Sequence, residues 1–391
     1  MTGQGGAVTT ATFPDTVPVL TDGVVTLRAH HAGDVDGVLE QCLDPLCQAW
    51  TTVPASYTRA MAEGFVGERV PAAWAAGSWV FAVEAADETG TPRFCGTVEL
   101  RDEGDARAEI AYGAHPWARG RGIVHRALEL LVAWGFEERG LRTVIWWANR
   151  GNWASRRAAW RLGFTLDGTV SQWLPRRGEL LDAWVGVLHA DDERAPRTDW
   201  LVAPRVDGEK VSLRPWRPED ADRIVQACND DRTRHWLWRL PHPYTLADAD
   251  AYLASRVELL ATGTGVGWAV ADAETDALVG SIALFDLEPG RDAEIGYWAH
   301  PDARGRGVMS EGCALAVRHA FTSADDGGLG LRRLQISAAE GNAASHRVIV
   351  ANGFVPTGRE RRSLRLGDGS LSDCVSYDLL VEEYAGTASA C

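Results

Sequence analysis

The chain has 391 residues, of which 46% are hydrophobic and 24% charged; that length favours two domains, each able to bury its own core, and the composition is that of an ordinary globular protein. No apolar run approaches the roughly 18 residues of a membrane-spanning helix, and 39 basic against 54 acidic residues leave a net charge of −15, which disfavours nucleic acid and suits an amine-bearing partner. The seven cysteines include no Cys-x-x-Cys pair, which argues for reduced, packed thiols and against a disulfide framework or a metal site.

Residues 1–17 carry neither a basic start nor an apolar stretch, so they read as a flexible tail and not as a secretory leader, which makes the cytoplasm the expected location. A short strand (Val24–Arg28) follows, then helical stretches, two apolar strands (Trp79–Ala85 and Cys95–Arg101) and a segment from Ala108 to Ile123. Beyond it the pattern predicts a helix (Ile123–Glu138), a buried strand (Arg142–Ala148), a helix opening after an asparagine (Asn152–Leu162) and final strands to about residue 189. The charged, proline-bearing stretch 190–204 reads as a linker.

The same order then returns: a strand (Val211–Arg214), helices (Glu219–Cys228 and Leu246–Leu260) and strands (Gly267–Ala271 and Leu278–Asp286). A helix (Val308–Thr322), a strand (Arg333–Ala338), a helix (Asn342–Ala351) and closing strands to residue 385 follow, with 386–391 as a tail. The repeat is explicit in the residues. AEIAYGAHPWARGRGI at Ala108–Ile123 recurs 185 residues later as AEIGYWAHPDARGRGV at Ala293–Val308. In order with it, Thr26–Arg28 answers Ser212–Arg214, Trp50 answers Trp236, Gly151–Arg156 answers Gly341–His346, and Leu162–Phe164 answers Asn352–Phe354. Two copies of one mixed α/β domain are expected, at 18–189 and 205–385.

In each copy an Arg-Gly-Arg-Gly loop joins a strand to a helix, where glycines let the backbone approach closely and free helix amides point at an anion such as a diphosphate. The loop lacks the Lys-Ser/Thr of a P-loop and the third glycine and acid of a dinucleotide site. A lone Gly-x-Gly is more often a plain turn; duplication in matched context favours the anion.

With Glu294–Trp298, His300–Pro301, Arg304–Glu311, Asn342–Ser345 and Asn352–Phe354 in place, each copy resembles a GNAT-fold N-acetyltransferase, and the second is similar to the RimJ/RimL group. The resemblance covers nearly the whole chain and implies an α/β fold of two tandem domains, each a central mixed β-sheet flanked by helices. It implies acetyl-CoA as acyl donor, its pyrophosphate on the amides of Arg119, Gly120, Arg121, Gly122 and Ile123 and of Arg304, Gly305, Arg306, Gly307 and Val308, with the arginines adding charge contacts. Pantetheine would lie along Tyr112, Gly113 and Ala114, or Tyr297, Trp298 and Ala299, with Asn152 and Asn342 close by. Trp117, where the second copy has Asp302, and Arg126, where it has Glu311, depart from the pattern, so the C-terminal copy is the expected catalyst.

Amine acetylation needs a base for the ammonium, a polarised thioester carbonyl and a donor for the leaving thiolate. Glu109 and Glu294 match the family position of the base; the alternative is a structural tie between strands. Ser155 and Ser345 match the thiolate donor, although serine in a first helical turn behind an asparagine cap is unremarkable. Trp50 and Trp236 are acceptor-site candidates, while the other tryptophans divide between acceptor walls and core. His115 and His300 read as turn residues, His125 and His346 as weaker bases, and no cysteine is paired for a covalent route. The expected activity is direct acetyl transfer to a primary amine on a peptide or protein amino terminus or a small molecule, including a peptide natural product or an antibiotic. The alternatives are an acyl-CoA-binding sensor or scaffold and one catalytic half beside one silent half; the halves could pack as a pseudo-dimer.

Overall fold

In the computed structural model, which describes residues 12–388, the chain divides into two compact units after Arg197. The first contains β1 (Leu20–Thr21), β2 (Val25–Arg28), α1 (Val35–Leu43), α2 (Pro45–Trp50), α3 (Arg59–Gly64), α4 (Val70–Ala75), β3 (Ser78–Ala86), β4 (Pro92–Gly104) and β5 (Arg107–Ala114). It closes with α5 (Ile123–Glu137), β6 (Thr143–Asn149), α6 (Trp153–Arg161), β7 (Gly168–Arg176) and β8 (Glu179–His189). The second contains β9 (Val206–Asp207), β10 (Val211–Arg214), α7 (Ala221–Asn229), α8 (Asp231–Trp236), α9 (Leu246–Thr262), β11 (Val266–Asp272), β12 (Leu278–Glu288) and β13 (Asp292–Ala299). It ends with α10 (Val308–Phe321), β14 (Arg333–Ala339), α11 (Ala343–Ala351), β15 (Val355–Arg365), β16 (Leu371–Leu380) and α12 (Val381–Ala388).

Each unit is one eight-stranded mixed sheet, ordered β1-β2-β3-β4-β5-β6-β8-β7 in the first and β9-β10-β11-β12-β13-β14-β16-β15 in the second. Neighbouring strands are antiparallel except the central pairs β5–β6 and β13–β14, which run parallel because α5 and α10 carry the chain back across the sheet. The central strands are covered on both faces, so β11 is buried along nearly its whole length. One stripe of α5, including Ile123, Ala127, Leu128, Leu131 and Val132, faces the core.

The repeated strand arginine has a structural task. Arg28 makes two bonds of 2.9 Å to Asp34, and Arg214 makes bonds of 2.9 and 2.7 Å to Asp220, fixing the tight turn that launches the first helix of each unit. The Arg214 and Asp220 side chains are only 3% and 5% exposed, so removing Asp220 leaves a buried guanidinium with only Asp276, 3.4 Å from its Nε, as carboxylate partner. Asp220→Ala should lower unfolding stability, read by urea denaturation, by about 3–5 kcal/mol, and replacing both partners (Arg214→Met with Asp220→Leu) should recover most of that loss.

The expected tails are shorter in the structure. Residues 1–11 lie outside the described residues, but the Val17 amide bonds to the Pro14 carbonyl at 3.0 Å, and Val17 and Phe13 pack against the first core; two apolar side chains in a turn have a surface to bury. At the other end α12 runs to Ala388, with Val381 and Tyr384 against the second core, and residues 389–391 lie outside the description. Six cysteines are buried free thiols, and Cys391 falls in the undescribed end. Among the described residues no helix is long and apolar enough to cross a membrane.

Candidate functional site

The central parallel pair comes apart. β13 pairs with β14 only over Asp292–Glu294 and Arg333–Gln335, while Ile295–Ala299 keep their antiparallel partners on β12. From there the two strands diverge, and a cleft of about 1170 Å³ opens between them. Tyr297, Trp298 and Ala299 form one wall and Ser337, Ala338 and Ala339 the other. Arg304, Gly305, Gly307 and Val308 close one end, and Asn342, Ser345 and Trp236 are also in the lining. Most candidate residues of the second copy therefore meet in one place; Glu294 and Arg306 stand outside the wall. In the first unit β5 and β6 pair only over Arg107–Ile110 and Thr143–Trp146, leaving Tyr112, Gly113 and Ala114 beyond the last paired residue.

The glycine loop is built to receive an anion. Gly305 and Gly307 have φ of 77° and 79°, a region open to glycine at little cost, and Gly307 caps α10 with no side chain. The amides of 305–310 carry no hydrogen bond among the described residues; the first return bond is Glu311 N–H to the Gly307 carbonyl at 3.2 Å. A Cβ placed on Gly305 would meet nothing within 4 Å, so the loop borders open space there. This donor set fits a diphosphate. Gly120 and Gly122, with φ of 74° and 76°, repeat the arrangement ahead of Ile123 and α5.

The loop arginines turn elsewhere. Arg304 is bound to Asp230 and, at 2.7 Å, to Thr233; Arg306 donates to Asp272 at 2.9 Å. Arg119 is held by Asp44 and the Ala114 carbonyl, and Arg121 lies 4.9 Å from the Trp117 ring centroid. Their side chains brace the loop, and contrary to expectation the Arg119 and Arg304 amides are also taken, by the Pro116 and Pro301 carbonyls, which leaves the Arg121 and Arg306 amides available. Arg232 and Arg347, which the sequence reading passed over, also line the cleft, and among the described residues no Asp or Glu does so. An acidic chain thus presents a positively charged cleft.

The two glutamates differ. Glu294 is half-buried; burial raises its pKa, the neighbouring Asp286 charge raises it further, and the nearby Ser337 hydroxyl opposes them. Since Ser337 lines the cleft, Glu294 stands just behind that wall, beside the Ser337 hydroxyl. Glu109 is also raised by burial, but the Arg101 guanidinium, at 3.0 Å, opposes the shift. Trp147 replaces Ser337 in the first copy and lies 5.7 Å from Trp173, centroid to centroid. Ser337 was missed because its place depends on the register of β14; the signal was its position two residues beyond Gln335, the partner of Glu294.

Asn342 and Asn152 cap α11 and α6, each accepting from the amide of the serine three residues on, Ser345 and Ser155. The Ser345 hydroxyl lies 3.0 Å from the Tyr297 hydroxyl; Ser155 is 2.9 Å from Tyr112 and accepts from the Trp146 indole at 3.0 Å. His346 has both nitrogens engaged, with Tyr377 at 2.8 Å and the Ala339 carbonyl at 3.0 Å, which argues against a base role; His125 pairs with Glu129 at 3.5 Å. His115 and His300 cap the short turns before the loops. Trp236 and Trp50 lie over Gly341 and Gly151, the residues just before the asparagine caps.

The Acetyltransferase (GNAT) domain family matches residues 25–165 and again 210–355. The chain is 30% identical over 189 residues to the provisionally named ribosomal N-acetyltransferase YdaF of Bacillus subtilis, covering 46% of this chain and 95% of that protein. It is 32% identical over 94 residues to the ribosomal-protein-serine acetyltransferase of Escherichia coli, covering 24% of this chain and 50% of that one. A solved structure described as a probable acetyltransferase is 28% identical, with a TM-score of 0.41, and covers 46% of this chain and 98% of the other. With a family domain in each half, the chain belongs to the GNAT acetyltransferase family as a tandem N-acetyltransferase whose acyl donor is acetyl-CoA.

Proposed function

We propose that acetyl transfer takes place in the cleft of the C-terminal unit, by direct attack of a primary amine, and that the acceptor is the amino terminus of a peptide or protein. The carrying observation is that Ser345, held by Tyr297, and Ser337, beside the Glu294 carboxyl, line the same cleft as the free loop amides. Bound acetyl-CoA supplies a thioester. Glu294, lacking a cationic partner and raised in pKa, takes the ammonium proton through the Ser337 hydroxyl or a water; Ser345 faces the leaving sulfur and donates to it. Trp236 and Leu237 form the apolar part of the wall against which an acceptor lies. The names of the bacterial relatives, which refer to ribosomal proteins, support a protein acceptor.

The N-terminal unit is read as non-catalytic, because its glutamate is ion-paired with Arg101 and an indole stands where Ser337 would open the route. The test is acetylation of peptides with free or blocked amino termini, followed by mass spectrometry. Free termini should gain one acetyl group and blocked ones none. Ser345→Ala should lower kcat roughly tenfold to a hundredfold, toward the small end of general-acid effects because a thiolate is a good leaving group; Ser155→Ala should leave it unchanged. Equal losses in both variants would overturn the assignment to one half.

A further inference from the structure

Lys210 is the only lysine in the chain, and it sits in the turn between β9 and β10. That turn is pinned to the helix beginning at the C-terminal glycine loop: Glu311, in the first turn of α10, accepts from the backbone amides of Glu209 and, at 2.9 Å, Lys210. The approach is close enough to require glycine at 208, where a Cβ would come within 2.4 Å of the Glu311 carboxyl and 2.8 Å of the Val211 carbonyl. As a result the Lys210 Nζ stands 3.6 Å from the Cβ position of Gly307, the residue that caps α10 beside the free amides.

Two contrasts give this placement meaning. The loop arginines are taken up, Arg304 by Asp230 and Arg306 by Asp272, whereas the Lys210 ammonium has no carboxylate partner among the described residues. An unpaired cation thus stands beside unpaired amide donors in a chain of net charge −15. In the first unit the corresponding residue is Val24, and the adjoining contact is an ion pair between Arg126 and Asp22 at 2.7 Å. That loop has the amides and lacks the free ammonium.

We propose that Lys210 is a phosphate ligand of the C-terminal coenzyme site, its ammonium holding the diphosphate or the 3′-phosphate of acetyl-CoA alongside the amides of 305–310. The proposal rests on acetyl-CoA being the donor bound at this loop. It makes the two halves unequal in coenzyme affinity as well as in chemistry, since an ammonium on a phosphate adds a charge-assisted contact that valine cannot provide.

A sole lysine can be followed chemically. The full chain is treated with an amine-selective N-hydroxysuccinimide ester, alone, with CoA or with 3′-dephospho-CoA, and labelling of the Lys210 peptide is timed by mass spectrometry, with the amino terminus as internal control. CoA at saturation, checked by calorimetry, should slow Lys210 labelling about fivefold or more and leave the control rate unchanged. Protection by both ligands assigns the contact to the diphosphate, and protection by CoA alone assigns it to the 3′-phosphate. Lys210→Gln should weaken CoA binding about fivefold, the size of one partly exposed charged contact, and Lys210→Arg should restore it. Saturating CoA with Lys210 labelled at the free rate would overturn the proposal alone; absence of any binding heat would remove the donor reading and the proposal together.

Discussion

Glu294→Gln is expected to lower kcat about a hundredfold while leaving the Kd for acetyl-CoA near its wild-type value, because removing a positioned general base forfeits a factor of about 10² to 10⁴. The amide keeps the size of the carboxyl and its capacity to accept a hydrogen bond, so a mere tie between strands would survive the change. pH separates the two roles. Burial and the Asp286 charge raise the Glu294 pKa, so kcat/KM should climb with pH and level off at a pKa above the usual glutamate range; in the Gln variant that bend should vanish. The stability effect has the opposite sign. Folding favours the protonated form, so the stability this carboxyl supplies is complete below its unfolded pKa and is lost as pH rises through the folded one. Glu109→Gln should break the 3.0 Å pair with Arg101 and leave turnover unchanged. A Glu294→Gln rate within twofold of wild type would remove Glu294 from the mechanism.

What could be read in the sequence was what is local. The glycine loop, the Asn-x-x-Ser helix start and the duplicated Glu-Ile strand each lie within a few residues, so spacing alone placed them on the right elements, and the repeat added a second copy to check against. What escaped depends on distant pieces meeting. The loop arginines look like coenzyme contacts until the fold brings Asp44, Asp230 and Asp272 to them. Ser337 acquires its place from a parallel register joining strands some 40 residues apart and from the point where that register ends. Phe13 and Val17 sit in a stretch with no period, and tertiary burial, which no local pattern signals, holds them. The six-residue helices α2 and α8 are too short for a periodic signal, although Asp44 and Asp230 cap them.

Gly305→Asp should abolish tight acetyl-CoA binding, raising Kd about a hundredfold in calorimetry. At a φ of 77° aspartate is among the few residues that tolerate the backbone, and the open space around the Cβ position leaves the fold undisturbed. What changes is charge: a carboxylate enters the ring of amides meant for a diphosphate, and two like charges about 4 Å apart repel by about 4 kcal/mol at an effective dielectric near 20, less after screening. Gly305→Asn separates strain from charge, since it has the same shape without the charge and should cost only a few-fold. In the first unit Gly120→Asp makes the same change at a loop flanked by Val24 and by the Arg126–Asp22 pair. The wild-type titration should therefore show two unequal sites per chain, the tighter one lost in Gly305→Asp and the weaker, by about fivefold, lost in Gly120→Asp. Two equal sites, each removed by its own substitution, would mean that the free amides alone set the affinity and that the cation beside Gly307 contributes nothing to it.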